Sequence, residues 1–277
     1  MDILPDGAQH QIIHALKTSP EIDPDREIHQ RVAFLRDQMV ASGQHTLVLG
    51  ISGGVDSTVA GRLCQLAVES ARTRGVEATF VAMRLPYGEQ MDEADAREAL
   101  NFIEPDEVLD VDIRPATDAL VASLEQSGLQ FRDAAHRDFV AGNIKARQRM
   151  VAQYAVAGAR SGLVVGTDQA AEALMGFFTK YGDGACDVTP LTGLNKRQVR
   201  QIGRALGAPG RLTDKVPTAD LESLTPGKTD EDALGVTYND IDDFLEGKTI
   251  PEHSRNVILK AWHATAHKRE LPIAPDL

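Results

Sequence analysis

Ser52-Gly53-Gly54-Val55-Asp56-Ser57 follows a short apolar run and precedes Thr58-Val59-Ala60-Gly61-Arg62-Leu63, which reads as the opening of a helix. Two glycines let a backbone bend close to an anion, serine hydroxyls donate to it, and a helix amino terminus adds free N–H groups and partial positive charge. That chemistry holds a polyphosphate. The segment lacks the lysine of the Walker sequence and the G-x-G-x-x-G spacing of dinucleotide folds, so neither of those readings applies. Asp56 is the informative departure. A carboxylate beside a pyrophosphate repels it unless a divalent cation lies between them, and magnesium is the usual bridge. The plain alternative is a tight turn in which Asp56 or Ser57 merely caps the helix.

Other polar groups gather in three places. Gly166-Thr167-Asp168-Gln169-Ala170-Ala171-Glu172 follows a strand-like run, where Thr167 or Asp168 serves a ligand or caps the next helix. Lys180-Tyr181-Gly182-Asp183-Gly184-Ala185-Cys186-Asp187 is glycine-rich and too polar for a buried connection. Asn143 and Arg147 stand four apart, on one face of a helix. Lone lysines such as Lys180 and Lys196 are ordinarily solvated charges, and Phe139 and Phe177 are either core or flat surfaces for a ring. His267-Lys268 reads as a basic tail. The histidines show no metal-ligand spacing, and Cys64 and Cys186, without paired spacing, read as buried thiols.

The elements that must position these residues alternate as strand and helix, the pattern of a parallel sheet covered on both faces. Asp23-Pro24 looks like an N-cap and first-turn proline, with Ile28, Val32, Leu35 and Met39 recurring at helical spacing up to Ser42-Gly43. Residues 46–51 are apolar and β-rich, as a strand buried on both faces requires. Further strands are expected at 78–83, 107–113 and 163–166, and helices at 138–159 and 251–268. Residues 214–232, with Pro217, Pro226 and Gly227, predict a mobile loop over a site. The expectation is an α/β fold with one doubly wound domain over residues 1–277.

Five blocks carry a resemblance to a known family: residues 50–63, Arg84-Leu85-Pro86-Tyr87-Gly88 with Gln90, residues 142–150, residues 165–180 with Asp187, and His267-Lys268. Ser-Gly-Gly-x-Asp-Ser after a buried strand resembles the signature of the ATP pyrophosphatases, and the whole set is similar to bacterial ammonia-dependent NAD synthetases. The resemblance implies a Rossmann-like fold of the adenine nucleotide α-hydrolase type. It implies ATP contacts from Gly50, Ile51, Ser52, Gly53, Gly54, Val55, Asp56, Ser57, Arg84, Gln90, Thr167, Lys196 and Thr218, the last on the leaving pyrophosphate. Magnesium would be held by Asp56 and Glu172, and deamido-NAD by Arg147, Lys180, Asp187, His267 and Lys268. Asp56, Lys196, Asp187 and Thr218 are the implied catalytic set, and the implied assembly is a homodimer.

A carboxylate does not condense with ammonium unaided, so the implied reaction first joins the nicotinate carboxylate of deamido-NAD to the α-phosphorus of ATP, and ammonia then displaces AMP. Asp168 or Asp187 is a candidate for the proton taken from ammonium. Nothing in this scheme needs a protein nucleophile, and no Ser-His-Asp or Cys-His arrangement is visible. With 277 residues there is no room for the amidase domain that glutamine-using relatives carry, so free ammonia is the expected nitrogen source.

Composition narrows the partners. A net charge of −12 disfavours nucleic acid in the absence of a basic patch. The longest apolar runs, residues 154–159 and 173–178, are six residues each, too short for a membrane helix, and residues 1–6 do not resemble a secretory signal. A cytoplasmic protein is expected. The rivals are another ATP pyrophosphatase, resembling GMP synthetase or a tRNA thiolation enzyme, and a non-catalytic nucleotide-binding module.

Overall fold

The computed structural model describes residues 7–88, 93–218, 224, 227, 229–270, 272, 274 and 275. Helices α1 (Gly7–Leu16) and α2 (Pro24–Ala41) precede strand β1 (Thr46–Gly50). Then follow α3 (Val55–Arg72), β2 (Thr79–Arg84), α4 (Glu93–Ile103), β3 (Glu107–Asp110), α5 (Arg114–Gln126), α6 (Ala134–Ala159) and β4 (Gly162–Val164). The remainder is helical: α7 (Ala170–Met175), α8 (Lys196–Ala205), α9 (Gly210–Thr213), α10 (Asp230–Leu234), α11 (Tyr238–Leu245), α12 (Glu252–Ala264) and α13 (Ala266–Arg269).

The four strands are parallel in the order β3-β2-β1-β4. The chain runs outward from β1 to β3 and returns to the far side of β1 as β4. Such a reversal opens a crevice at the carboxyl ends of the two strands it separates, which is where doubly wound sheets bind ligands. Burial on both faces explains why β1 is apolar from Leu47 onward. Leu47 and Leu49 pack with α2, α3 and α8, whereas Val48 joins Val81, Met83 and Val164 beneath Ala157 of α6. Each such side chain contributes about 2 kcal/mol. A second apolar cluster, built on Leu174, Ile241, Phe244 and Ile258, ties α7 to α11 and α12.

Local signals set the helix starts. Asp23 accepts from the N–H groups of Asp25 (3.1 Å) and Arg26 (3.2 Å), with Pro24 in the first turn, so α2 begins where its cap lies. α6 starts four residues before the expected Asp138 because Asp133 accepts from His136 N at 2.7 Å. β3 ends at Asp110 rather than Ile113. Asp112 draws the chain away, accepting from Gly88 N at 3.0 Å and Arg114 N at 2.9 Å. β4 stops at Val164, two residues short of the expectation, where Val165 bridges to Val188. The expected carboxyl-terminal helix is broken at Thr265, which packs against Gly176 so closely that a Cβ there would lie 2.3 Å from it. At the end of the expected loop, Asp230 to Asp232 are helical instead. Among the described residues no helix is long and apolar enough to cross a membrane.

Candidate active site

β1 delivers the chain to the crevice, and Gly53 turns it. Its φ of +85° suits glycine, and a Cβ would stand 2.6 Å from Ala96 N on α4. The two serines hold the bend: Ser57 Oγ accepts from Ser52 N (3.3 Å) and donates to Gly54 O (3.1 Å), while Ser52 Oγ accepts from Gly54 N (3.3 Å). Gly54 is the N-cap of α3, with no side-chain capping bond. Neither Asp56 nor Ser57 caps the helix, so its first-turn N–H groups face the crevice as an anion site.

Asp56, Glu172 and Lys196 meet in this crevice. Lys196 Nζ lies 2.5 Å from Asp56 Oδ2 and 3.7 Å from Glu172 Oε1, with only 3 % of the lysine side chain exposed. α8 fixes it there. Asn195 accepts from Gln198 N (2.8 Å), Gln198 accepts from Asn195 N (3.1 Å), and Asp242 accepts from the N–H groups of Lys196 (3.0 Å) and Arg197 (2.8 Å). The ammonium stands 5.0 Å from the centre of the Tyr238 ring, whose hydroxyl donates to Asp230 at 2.9 Å. Burial alone would lower the lysine, but Asp56 and Glu172 outweigh it and hold the ammonium at about 12. Glu172 is pushed well above the carboxylate range, by burial first and then by Asp56.

Two acids sharing one cation suit a divalent ion. Asp56 Oδ1 is buried with no hydrogen-bond partner, an orphan acceptor that such an ion would satisfy. Among the described residues no three acid, histidine or cysteine side chains could hold a metal by themselves. An ion here would complete its shell from phosphate and water, the usual habit of magnesium. The residues fit the group.

A cavity of about 480 Å³ extends from this floor. Gly50, Ile51, Ser52, Gly54, Val55, Ser57, Thr167, Thr218 and Lys268 line it, as do Phe139, Asn143 and Phe177. Gly53 lies behind the turn. Gln169, rather than Thr167 or Asp168, caps α7 by accepting from Ala171 N at 2.6 Å. Asp168 stands outside the cavity lining, and burial first, then Asp183 and Asp56, push it up to about 7. Asp183, a residue that spacing alone did not single out, lines the cavity and is itself raised by burial. Arg149, Gln153, Lys215 and Asp230 line it too; Lys215 and Asp230 fall in the segment expected to cover a site and Arg149 in one of the blocks of resemblance, though none was singled out.

Other expected residues lie outside the cavity wall. Arg84 is buried and forks onto Glu93 at 2.6 and 2.5 Å. Arg147, Lys180 and His267 join one another: Arg147 donates to Lys180 O (3.2 Å), and Lys180 Nζ to His267 O (2.5 Å). Asp187 accepts from Val164 N (2.7 Å) and Tyr154 hydroxyl (3.3 Å). Gln90 falls outside the described residues. Cys64 is buried in the core, and burial lifts the half-buried Cys186 to about 12, which disfavours the reactive thiolate form.

The family model described as NAD synthase matches residues 27–272. The chain belongs to the NAD synthase family. It is 64% identical to the NH(3)-dependent NAD(+) synthetase of Streptomyces coelicolor, over 96% of this chain and 97% of that one. Among solved structures it is similar to the NAD+ synthetase from Burkholderia pseudomallei, at 54% identity and a TM-score of 0.84, covering 97% of this chain and 98% of the other. The NMN synthetase from Francisella tularensis is also similar, at 36% identity and a TM-score of 0.80, over 93% of this chain and all of that one. The fold described above is thus shared with the solved NAD+ synthetase from Burkholderia pseudomallei.

Proposed function

We propose that this chain amidates deamido-NAD with ammonia at the expense of ATP, giving NAD, AMP and pyrophosphate through an adenylate, and that one domain spanning residues 1–277 does so. The observation that carries the reading is the uncapped α3 terminus beside the Asp56–Lys196–Glu172 cluster, in a chain of the NAD synthase family. It supports ATP bound with its phosphates on the Ser52–Ser57 turn, and Asp56 and Glu172 as the ligands of magnesium. Magnesium, when bound, would supply positive charge at the phosphate oxygens.

In the first step a carboxylate oxygen of the nicotinate attacks the α-phosphorus, and the bond from that phosphorus to pyrophosphate breaks. The α3 N–H groups and Lys196 stabilise charge on the phosphates, as preorganised donors do when they need not reorient. Thr218 and Lys196 hold the departing pyrophosphate. In the second step the nitrogen lone pair of ammonia attacks the acyl carbon, and the bond to AMP breaks. The nitrogen must shed a proton, and Asp168, held at about 7, is matched to take it at neutral pH. Asp187 is engaged by Val164 N and Tyr154, which favours Asp168 over it.

The Arg147–Lys180–His267 group and Asp187 flank the cavity along the outer side of α6, where Phe139, Val151 and Tyr154 are exposed. This supports a homodimer in which that apolar face is covered and the deamido-NAD site is completed beside it. Two unpaired thiols accord with a cytoplasmic setting.

Likeness to NMN synthetase favours a second reading, in which the acid amidated is the mononucleotide. Product analysis separates the two. With ATP, magnesium and ammonium chloride, deamido-NAD should yield NAD, AMP and pyrophosphate in equal amounts, and nicotinic acid mononucleotide should be the poorer substrate. ADP and phosphate as products would overturn the adenylate, and a preference for the mononucleotide would overturn the choice of acid.

A further inference from the structure

We propose that Lys215 binds the departing pyrophosphate and that Asp95 positions it, an inference that rests on the reaction proposed above. The phosphate turn needs positive charge nearby, and Lys196 shares its own with two acids. Its ammonium faces Asp56 at 2.5 Å and Glu172 at 3.7 Å, so two carboxylates offset its charge. Lys268 donates to the carbonyls of Gly176 and Phe178, and Arg149 to that of Leu85. Lys215 differs in what one of its partners touches. Its Nζ lies 2.7 Å from Asp95 Oδ2, and Asp95 belongs to the first turn of α4.

That turn packs directly on the phosphate loop. A Cβ at Gly53 would stand 2.6 Å from Ala96 N and 2.8 Å from the carbonyl carbon of Asp95. The ion pair therefore holds Lys215 beside the bend in which the phosphates are proposed to sit, and Lys215 itself lines the cavity three positions before Thr218. An ammonium carries three N–H donors, so it can serve a carboxylate and a phosphate oxygen together. Asp95 also meets Arg211 at 2.5 Å. These cations, Lys215 foremost, hold its carboxyl below the usual range, so Asp95 stays charged and keeps its grip. With Lys215 22% and Asp95 12% exposed, the pair is better shielded than a surface ion pair.

The test is calorimetry of inorganic pyrophosphate binding to the full chain in magnesium buffer, alongside steady-state kinetics with ATP varied at saturating deamido-NAD and ammonia. K215M should weaken pyrophosphate binding and raise the KM for ATP by about tenfold or more, the loss expected for a charge-assisted contact to phosphate. K215R should recover most of that loss. D95N should weaken both by about threefold, and D95N/K215M should be no worse than K215M, because Asp95 acts through the lysine. Wild-type constants in a folded K215M, or a D95N penalty that persists in full on the K215M background, overturn the assignment. Calorimetry reads it without turnover, so a wild-type chain that makes no AMP would defeat the reaction while leaving Lys215 independently judged.

Discussion

Lys196 lies against both acids proposed to hold the metal, so its ammonium would compete with the ion for them. Replacing the lysine should therefore expose a cation site. K196M, titrated with manganese and followed by electron paramagnetic resonance, should bind the ion without nucleotide at least about tenfold more tightly than wild type. D56N/K196M should lose the gain; equal affinity in wild type and K196M would contradict the competition. Asp168 makes a second prediction. Its folded value of about 7 exceeds its ordinary 3.8, so between them the folded chain keeps a proton that the unfolded chain releases. Stability from this group is full below the lower value and is lost as pH rises to the upper one, by about 4 kcal/mol at most. Ligand-free D168N should melt above wild type at pH 8, with the gap closing toward pH 4, while AMP formation falls. Asp56 and Glu172 were legible as types beside predicted strand ends, whereas Lys196 was named only through the family resemblance, because its place beside them arises from a segment 140 residues away.

At the level of elements, α8 decides where Lys196 lies, and its capping box decides where α8 begins. N195A removes the bond that Asn195 Oδ1 accepts from Gln198 N and the one its Nδ2 donates to Glu246, leaving the backbone N–H bond to Gln198, and should cost about 1 kcal/mol in a denaturant melt, with the KM for ATP raised as Lys196 loosens. An unaltered midpoint would show that Asp242 alone anchors that terminus. Sequence legibility followed the range of the forces. β1, α2 and α3 were readable because apolar runs, caps and glycine turns act within a few residues. The short β4 and the break at Thr265 were not, since each depends on contacts with distant chain: Val165 turns to Val188, and Thr265 fills the space that Gly176 leaves open. α6 showed its length but hid which of its faces is apolar and exposed.

Across the whole molecule, a net charge of −12 must be overcome locally to admit two anionic substrates, and the lysines and arginines lining the cavity and beside α6 would serve that end. If α6 is the dimer surface, V151D should give monomers by light scattering and raise the KM for deamido-NAD more than that for ATP, since the phosphate turn lies in a single chain. A V151D dimer with wild-type constants would remove α6 from the interface. The central claim is that the acid is activated at the α-phosphorus of ATP before ammonia arrives. Deamido-NAD labelled with ¹⁸O in its carboxylate tests this by mass spectrometry of the products. Each turnover should place one ¹⁸O in AMP and leave one in the amide of NAD, whereas unlabelled AMP, or label in pyrophosphate, would contradict the account.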